Sequence, residues 1–202
     1  MKGLLFKDFR IIVKDYRSFL ILAIVFILMG VFWKEGLYGP VYGMFFLITV
    51  VSTLQNYDEA VGFRKYCETF PLSRSDIVNE KYLLSLALAF GGILLFAIVS
   101  LVLGRTEMIF ETAAAMAAIG LSASAFSLPF SFIFGAQKGS LVRMAVILAM
   151  VICGMVLINY TEVILNFLSS QALTSVLIFV LVIAAFEISR RITIRFYEKK
   201  EL

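Results

Sequence analysis

The chain has 202 residues, of which 61% are hydrophobic and 16% are charged. These proportions leave little chain for a water-soluble domain, and the net charge of +4 gives no indication of nucleic-acid binding. Histidine, the commonest metal ligand and the usual proton relay near neutral pH, does not occur.

The first predicted element is an amphipathic helix over residues 4–17, within an inner-surface segment 1–17. Lys7, Arg10, Lys14 and Arg17 recur at helical spacing on one side. The other side is apolar and carries Leu5, Phe9, Ile12, Val13 and Tyr16. Such a helix lies in the plane of the lipid headgroups. We interpret it as a lipid anchor; the alternative is a surface that also contacts a cytosolic partner.

Six apolar stretches follow, and a helix needs roughly 20 residues to cross the hydrocarbon core. The predicted spans are Phe19–Trp33, Leu37–Leu54, Tyr82–Leu103, Met108–Phe134, Met144–Ile158 and Leu173–Ile188. The first, fifth and sixth are short and need flanking residues. The sequence therefore predicts an all-α integral membrane protein whose residues 1–202 form a single transmembrane domain. Its parts are spans one and two (19–54), a cytosolic loop (55–81), spans three to six (82–188) and a cytosolic tail (189–202).

Basic residues fix the orientation of these spans. Of the 18 lysines and arginines, only Lys34 and Arg105 fall in segments on the outer side when the amino terminus is placed inside. Because lysine and arginine accumulate in cytoplasmic segments, both termini are predicted to be cytoplasmic.

Small residues predict where the spans pack closely. Spans one and two should form a tight hairpin, with Gly39 and Gly43 in the first turns of span two. Span three carries Gly91 and Gly92, and span four is rich in alanine. Small residues let membrane helices approach one another. We therefore expect spans three and four to pack tightly against each other.

The cytosolic loop 55–81 is polar, charged and aromatic. Residues Asp58–Thr69 can form about three helical turns, and Pro71 ends them because the residue before a proline avoids helical geometry. Ser73 and Asp76 then match a capping box that starts a second helix, which continues into span three. A force on the short helix would therefore reach span three.

The sequence lacks the residues that several functions require. The middle of each predicted span has no ionisable side chain of the kind that ion-coupled transporters use. The glycine-rich loop that cradles nucleotide phosphates does not occur either. We predict no catalytic, metal-binding or cofactor-binding residues in this chain, and energy for any uphill transport must come from another polypeptide.

Two segments resemble a known family. The stretch Phe70–Val78 with Lys81-Tyr82, and the opening Met1–Asp8, resemble small six-span permease subunits of bacterial ATP-binding-cassette exporters of the ABC2 type. Phe70 stands where leucine is usual in that motif. The resemblance implies an amphipathic amino-terminal helix, a cytosolic coupling helix between spans two and three, and a location in the bacterial inner membrane.

By this resemblance, the loop 55–81 is a coupling loop that docks on a cytosolic ATPase. The implied docking residues are Glu59, Arg64, Lys65, Tyr66, Glu68, Thr69, Pro71 and Arg74. The simpler alternative is that its basic residues only bind headgroups. ATP and magnesium would be bound by the ATPase, so no cofactor is expected in this chain. The other implied partners are a second six-span subunit, identical or homologous, and membrane lipids.

The most consistent interpretation is the permease subunit of an ATP-driven exporter for an amphipathic or hydrophobic cargo such as a peptide. One alternative is a non-transporting scaffold or immunity protein that sequesters a peptide. A lipid-headgroup enzyme is a second alternative, but such chemistry uses clustered acidic residues or histidines on a metal, and no metal-ligand spacing occurs.

The orientation can be tested with Cys67, which lies in the coupling loop. In a Cys153→Ser background, Cys67 should react with a membrane-impermeant thiol reagent only after the cells are opened, because the loop is predicted to be cytoplasmic. Labelling of intact cells would contradict this orientation.

Overall fold

A computed structural model describes residues 2–32, 38–63, 73–105, 109–135, 137–142, 144–146, 148–149 and 171–199. Within these ranges the chain is helical and has no strand, which confirms the predicted all-helical fold for this part of the chain. The principal helices are α1 (Lys2–Asp15), α2 (Arg17–Phe32), α3 (Tyr38–Ala60), α4 (Arg74–Val102), α5 (Ile109–Phe134) and α6 (Gln171–Lys199).

Two of the described helices, α4 and α5, are long and apolar enough to cross a membrane. Helix α2 is apolar but has 16 residues, or roughly 24 Å, which is short of a hydrocarbon core of about 30 Å. The complete six-span topology stays a prediction. Most of the fifth predicted span, Met144–Ile158, lies outside the described residues.

The distribution of side chains on α4 is typical of a helix in lipid. Phe90, Ile98 and Leu101 are more than half exposed, whereas the small polar residues Ser85 and Ser100 are buried. Soluble proteins seldom expose large contiguous apolar patches, and small polar residues between helices are common in membrane bundles. The outer surface of α4 is therefore suited to lipid.

Helix α3 is the centre of the described bundle. It packs against α1, α2, α4 and α5. Its buried apolar residues extend along most of its length, and they are Met44, Leu47, Ile48, Val50, Val51 and Leu54.

Glycines bring α2 and α3 into close contact, as the sequence predicted for this hairpin. A Cβ added to Gly39 would lie 2.6 Å from Cα of Gly30, and one added to Gly43 would lie 2.8 Å from the carbonyl oxygen of Ala23. The two glycines are four residues apart and so lie on one face of α3. Only glycine permits this backbone separation.

The glycines of spans three and four make room for α3 rather than for each other. Leu47 would be 2.7 Å from a Cβ at Gly92, and Met44 would be 3.0 Å from a Cβ at Gly120. Helices α4 and α5 do contact each other, and Ser85 Oγ donates to Ser124 Oγ at 2.6 Å. At Gly91, by contrast, no atom of another described helix lies within 4 Å of an added Cβ.

The amino-terminal helix ends earlier than predicted. Helix α1 ends at Asp15, the chain bends at Tyr16, and Arg17 is the first residue of α2. Arg17 therefore does not belong to the amphipathic helix. The bend keeps local backbone hydrogen bonds, because Tyr16 donates to the carbonyl of Ile12 and accepts from the amide of Phe19.

We expect Gly43→Ala to lower the thermal unfolding temperature of the detergent-solubilised protein. The new Cβ would lie 2.5 Å from Cγ1 of Ile27 as well as against the Ala23 carbonyl, so α2 and α3 would have to separate. Overpacking of this kind costs about 1–3 kcal/mol.

The matched control is Gly91→Ala, which adds the same methyl group to open space. It should be neutral or stabilising by up to about 1 kcal/mol, because alanine loses less backbone entropy than glycine in a helix. Equal unfolding temperatures for the two variants would contradict the close approach of α2 and α3.

Candidate functional site

Five charged side chains from three helices meet at the end of the bundle predicted to face the cytoplasm. We call them the junction cluster: Lys7 and Asp8 from α1, Asp58 from α3, and Glu80 and Lys81 from α4. Lys81 Nζ bonds Asp8 Oδ2 and lies 2.8 Å from Asp58 Oδ2. Lys7 Nζ lies 2.6 Å from Asp58 Oδ1 and 3.0 Å from Asp8 Oδ1. Each aspartate therefore bridges both lysines, and one ionic network joins three helices.

Most of the cluster is removed from water. The side chain of Lys81 is 3% exposed, those of Asp8 and Glu80 are 0% and 1% exposed, and that of Lys7 is 26% exposed. Burial alone would raise the pKa of the Asp8 carboxyl, but its hydrogen bond with Glu80 and the charge of Lys81 hold that pKa below its ordinary value. Removing one partner from a buried ion pair is costly, because the other charge is left uncompensated.

The sequence of α1 places Asp8 in the cluster. Leu4, Asp8 and Ile12 follow one another at intervals of four residues and form a buried stripe. A second stripe of exposed apolar residues, Phe6, Phe9 and Val13, lies beside it. The third face is basic and exposed, with Arg10 and Lys14. The helix thus has one face for protein, one for lipid and one for headgroups, where the sequence predicted only two.

The end of α3 differs from the prediction. Asp58, Glu59 and Ala60 complete α3 instead of starting a separate short helix. Gly62 then adopts a positive φ of 69°, a conformation that glycine takes without steric cost, and its amide donates to the carbonyl of Glu59. The helix therefore turns at Gly62. Beyond the turn, Lys7 Nζ lies 3.7 Å from the ring centroid of Phe63, within the range of a cation–π contact.

The start of α4 is as the sequence predicted. The hydroxyl of Ser73 accepts from the amide of Asp76, and the carboxylate of Asp76 accepts from the amide of Ser73. This capping box satisfies amide donors that the first turn of a helix leaves free. Arg74 Nη1 donates to the carbonyl of Glu198 at 3.3 Å, which links the first turn of α4 to the end of α6.

A hydroxyl network joins α4 to α6 next to the junction cluster. The buried Tyr82 hydroxyl lies 2.8 Å from both Ser189 Oγ and Thr193 Oγ1. The ring of Tyr82 packs edge-on against Phe186, with centroids 5.1 Å apart. Closer to the start of α4, Arg190 donates to Asn79 at 2.5 Å. Helix α4 is therefore held by ionic contacts with α1 and α3 and by neutral or mixed hydrogen bonds with α6.

The structure describes only two of the eight docking residues that the resemblance implied. Glu59 lies in the last turn of α3 and Arg74 in the first turn of α4, on either side of residues 61–73. The other six lie outside the described residues: Arg64, Lys65, Tyr66, Glu68, Thr69 and Pro71. Of the basic residues predicted on the inner-surface helix, Lys7 enters the junction cluster.

Sequence reasoning missed most of the junction cluster. Lys81 belongs to the family-like motif, but from the sequence its charge indicates only the orientation of the spans. The available signal was Asp8, an acidic residue between Leu4 and Ile12 at helical spacing on an otherwise apolar stripe. Its partner could not be identified locally, because 73 residues separate it from Lys81. No group of histidine, cysteine or acidic side chains among the described residues is arranged to hold a metal ion.

Helices that expose apolar side chains, with the charged junction cluster buried at one end of the bundle, are typical of a membrane-embedded helical protein. A family model described as "ABC-2 family transporter protein" matches residues 3–198, so the chain belongs to that family. Membership indicates a membrane permease component of an ATP-binding-cassette transporter, a class whose members are generally non-catalytic. No curated protein and no solved structure matches the chain.

We expect Lys81→Met to lower the free energy of unfolding by about 3–5 kcal/mol, because Asp8 and Asp58 lose the buried cation that they share. Adding Asp8→Asn should restore part of this loss, since it removes one of the uncompensated carboxylates. Denaturant unfolding of both variants in the same detergent measures the difference.

The control for this experiment is Glu187→Gln. Glu187 also pairs with two basic residues, Arg190 and Arg191, but its side chain is 39% exposed. Exposed pairs contribute about 0–1 kcal/mol. If Lys81→Met costs no more than Glu187→Gln, the junction cluster does not hold the three helices together.

Proposed function

We propose that the chain is the transmembrane permease subunit of an ATP-driven exporter in a bacterial inner membrane. It works as a dimer of six-span subunits, identical or homologous, with cytosolic ATPases that bind ATP and magnesium. The coupling loop between α3 and α4 receives the movement of the ATPase. The exported cargo is amphipathic or hydrophobic, such as a peptide.

The observation that carries this proposal is the continuity of α4. One helix runs from Arg74, next to the coupling loop, to Val102 near the predicted outer side. Its 29 residues extend over roughly 43 Å. A displacement applied at its capped start is therefore carried along the whole helix, because helical hydrogen bonds resist compression within it.

The junction cluster supports the same role for the coupling loop. Within the coupling loop, the ring of Phe63 contacts Lys7, and Ser73 caps the start of α4. Asp58 Oδ2 of α3 and Lys81 Nζ of α4 are 2.8 Å apart. Asp58 also binds Lys7 of α1, and Lys81 also binds Asp8 of α1. A force on the loop is thus shared by three helices.

The exposed faces of α1 support its role as an anchor at the inner surface. Phe6 and Phe9 are 69% and 62% exposed, and Arg10 and Lys14 lie on the adjoining face. Aromatic side chains beside basic ones fit the boundary between acyl chains and anionic headgroups. Lipid therefore covers the exposed stripe of Phe6, Phe9 and Val13.

The nature of the buried charges favours an apolar cargo over an ion. Among the described residues, the only buried charged side chains belong to the junction cluster, where they pair with one another. Sites for ions or charged substrates within a membrane bundle need ionisable groups that are available to the substrate.

The proposal is tested by capturing the affinity-tagged chain from its native membrane. We expect an ATPase with a phosphate-cradling loop, identified by mass spectrometry, to be retained, and hydrolysis of ATP to depend on that second chain. The scaffold alternative predicts a captured peptide without an ATPase. Hydrolysis by the purified chain alone, or capture without any ATPase, would overturn the proposal.

The docking role of the loop is tested in the same assay with Arg64→Glu and Lys65→Glu combined. Placing like charges across a docking contact costs several kcal/mol, so ATPase retention should fall by at least about tenfold. The control is the combined reversal of Lys199 and Lys200 in the tail, which should leave retention unchanged. Equal retention by both variants would exclude these two residues from the docking contact.

A further inference from the structure

The junction cluster is not electrically balanced when all of its groups are ionised. Three carboxylates, on Asp8, Asp58 and Glu80, face two ammonium groups, on Lys7 and Lys81. Among the described residues, no ion pair joins α2, α5 or α6 to these five groups. A net charge of −1 in a buried site is costly, because few water dipoles reach it.

Glu80 is the member with the poorest contacts. Its Oε2 is 3.6 Å from Lys81 Nζ, too far for a hydrogen bond, and its Oε1 is buried without a donor from the described part of the chain. The ammonium of Lys81 is directed at Asp8 and Asp58 instead. Oδ1 of Asp8 likewise receives no well-aligned hydrogen bond, although Lys7 Nζ lies 3.0 Å away as an ion-pair partner.

The carboxyl groups of Glu80 and Asp8 both lie against Lys81 Nζ, and among the described residues each has one buried oxygen without a hydrogen-bond donor, Oε1 of Glu80 and Oδ1 of Asp8. Two ionised carboxylates cannot form a hydrogen bond, because both are acceptors. One proton on Glu80 supplies the missing donor. The same proton brings the sum of the five charges to zero, and it agrees with the pKa of Asp8, which stays below its ordinary value despite burial.

We propose that the junction cluster is a proton-binding site, in which Glu80 is protonated near neutral pH and donates a hydrogen bond to Asp8. Among the described residues, the charged groups that act on Glu80 are Asp8 and Lys7 of α1 and its neighbour Lys81, while Asp58 of α3 faces the two lysines. Glutamate in an unfolded chain is already ionised at neutral pH. Because the folded state then binds one proton more than the unfolded state, stability falls as the pH rises. Loss of the proton leaves the cluster with a charge of −1 and weakens the attachment of α1 to α3 and α4.

The protonation of Glu80 is measured by infrared spectroscopy of the purified full chain. At neutral pH we expect the carbonyl stretch of a protonated carboxyl group, and titration to alkaline pH should remove it. Glu80→Gln should abolish this band, and Glu187→Gln, at an exposed acidic residue, should keep it. Absence of the band from the wild-type chain at neutral pH, or its persistence in Glu80→Gln, would overturn the proposal.

The effect on α1 is measured by hydrogen exchange of its backbone amides, corrected for the intrinsic pH dependence of exchange. Burial raises the pKa of the Glu80 carboxyl to about 8. Linkage to one proton therefore allows exchange through release of α1 to increase by at most about tenfold per pH unit between the ordinary pKa of glutamate and this raised pKa, and the increase stops above it. Glu80→Gln keeps a neutral side chain at every pH, so its α1 amides should not show this increase. Equal pH dependence in both proteins would overturn the role in α1 attachment. Neither measurement needs an ATPase, so the result is independent of the proposed transport function.

Discussion

Burial of the Lys81 ammonium group between Asp8 and Asp58 determines how α1, α3 and α4 meet. Apolar side chains cannot do this at a membrane boundary, because lipid tails satisfy them as well as another helix does. The buried ammonium group of Lys81 instead binds both carboxylates, and moving either helix away would leave a largely buried carboxylate without this partner. The arrangement of the three helices is therefore specified by charge, and the apolar core fills the space that this leaves.

Helix α4 is held differently at its two ends and on its two sides. Near its start, α1 and α3 hold it through ions, and α6 holds it through the Tyr82 hydroxyl. Beyond its far end, Arg105 Nη1 donates to the carbonyl oxygens of Val31 and Phe32 at the end of α2, with 2.9 Å to the latter. A guanidinium at the negative end of a helix dipole is favourable. Helix α4 thus connects polar contacts at opposite ends of the bundle, which suits a helix that transmits displacement.

The sequence was sufficient wherever the determining residues are close in the chain. Ser73 and Asp76 are three positions apart, so the start of α4 could be predicted from the capping-box pattern. Hydropathy likewise predicted α4 and α5, because it depends only on consecutive residues. The end of α3 was predicted wrongly since Asp58 suits either the end of one helix or the start of the next, and the turn at Gly62 decides between them. Small residues such as Gly92 and Gly120 indicate close packing, yet the sequence could not show that α3 is the helix that packs against them. The Asp8–Lys81 pair was out of reach for the same reason, because each residue alone is compatible with a solvated surface.

The two lysines of the junction cluster differ in how easily they can change their partners. Lys81 is buried and bound on two sides, so it cannot exchange partners without leaving a buried charge. Lys7 is partly exposed, and its ammonium group is shared among Asp8, Asp58 and the face of the Phe63 ring. Water reaches the partly exposed Lys7, so its ammonium group can exchange its more exposed contacts at lower cost than the buried Lys81 can. Phe63 also lies in the loop 55–81 and is the last residue described before Ser73. If the loop receives the movement of an ATPase, as we propose, that movement acts on α1 through Lys7 and on α4 through its capped start, and the aspartates that enclose Lys81 keep the two helices together.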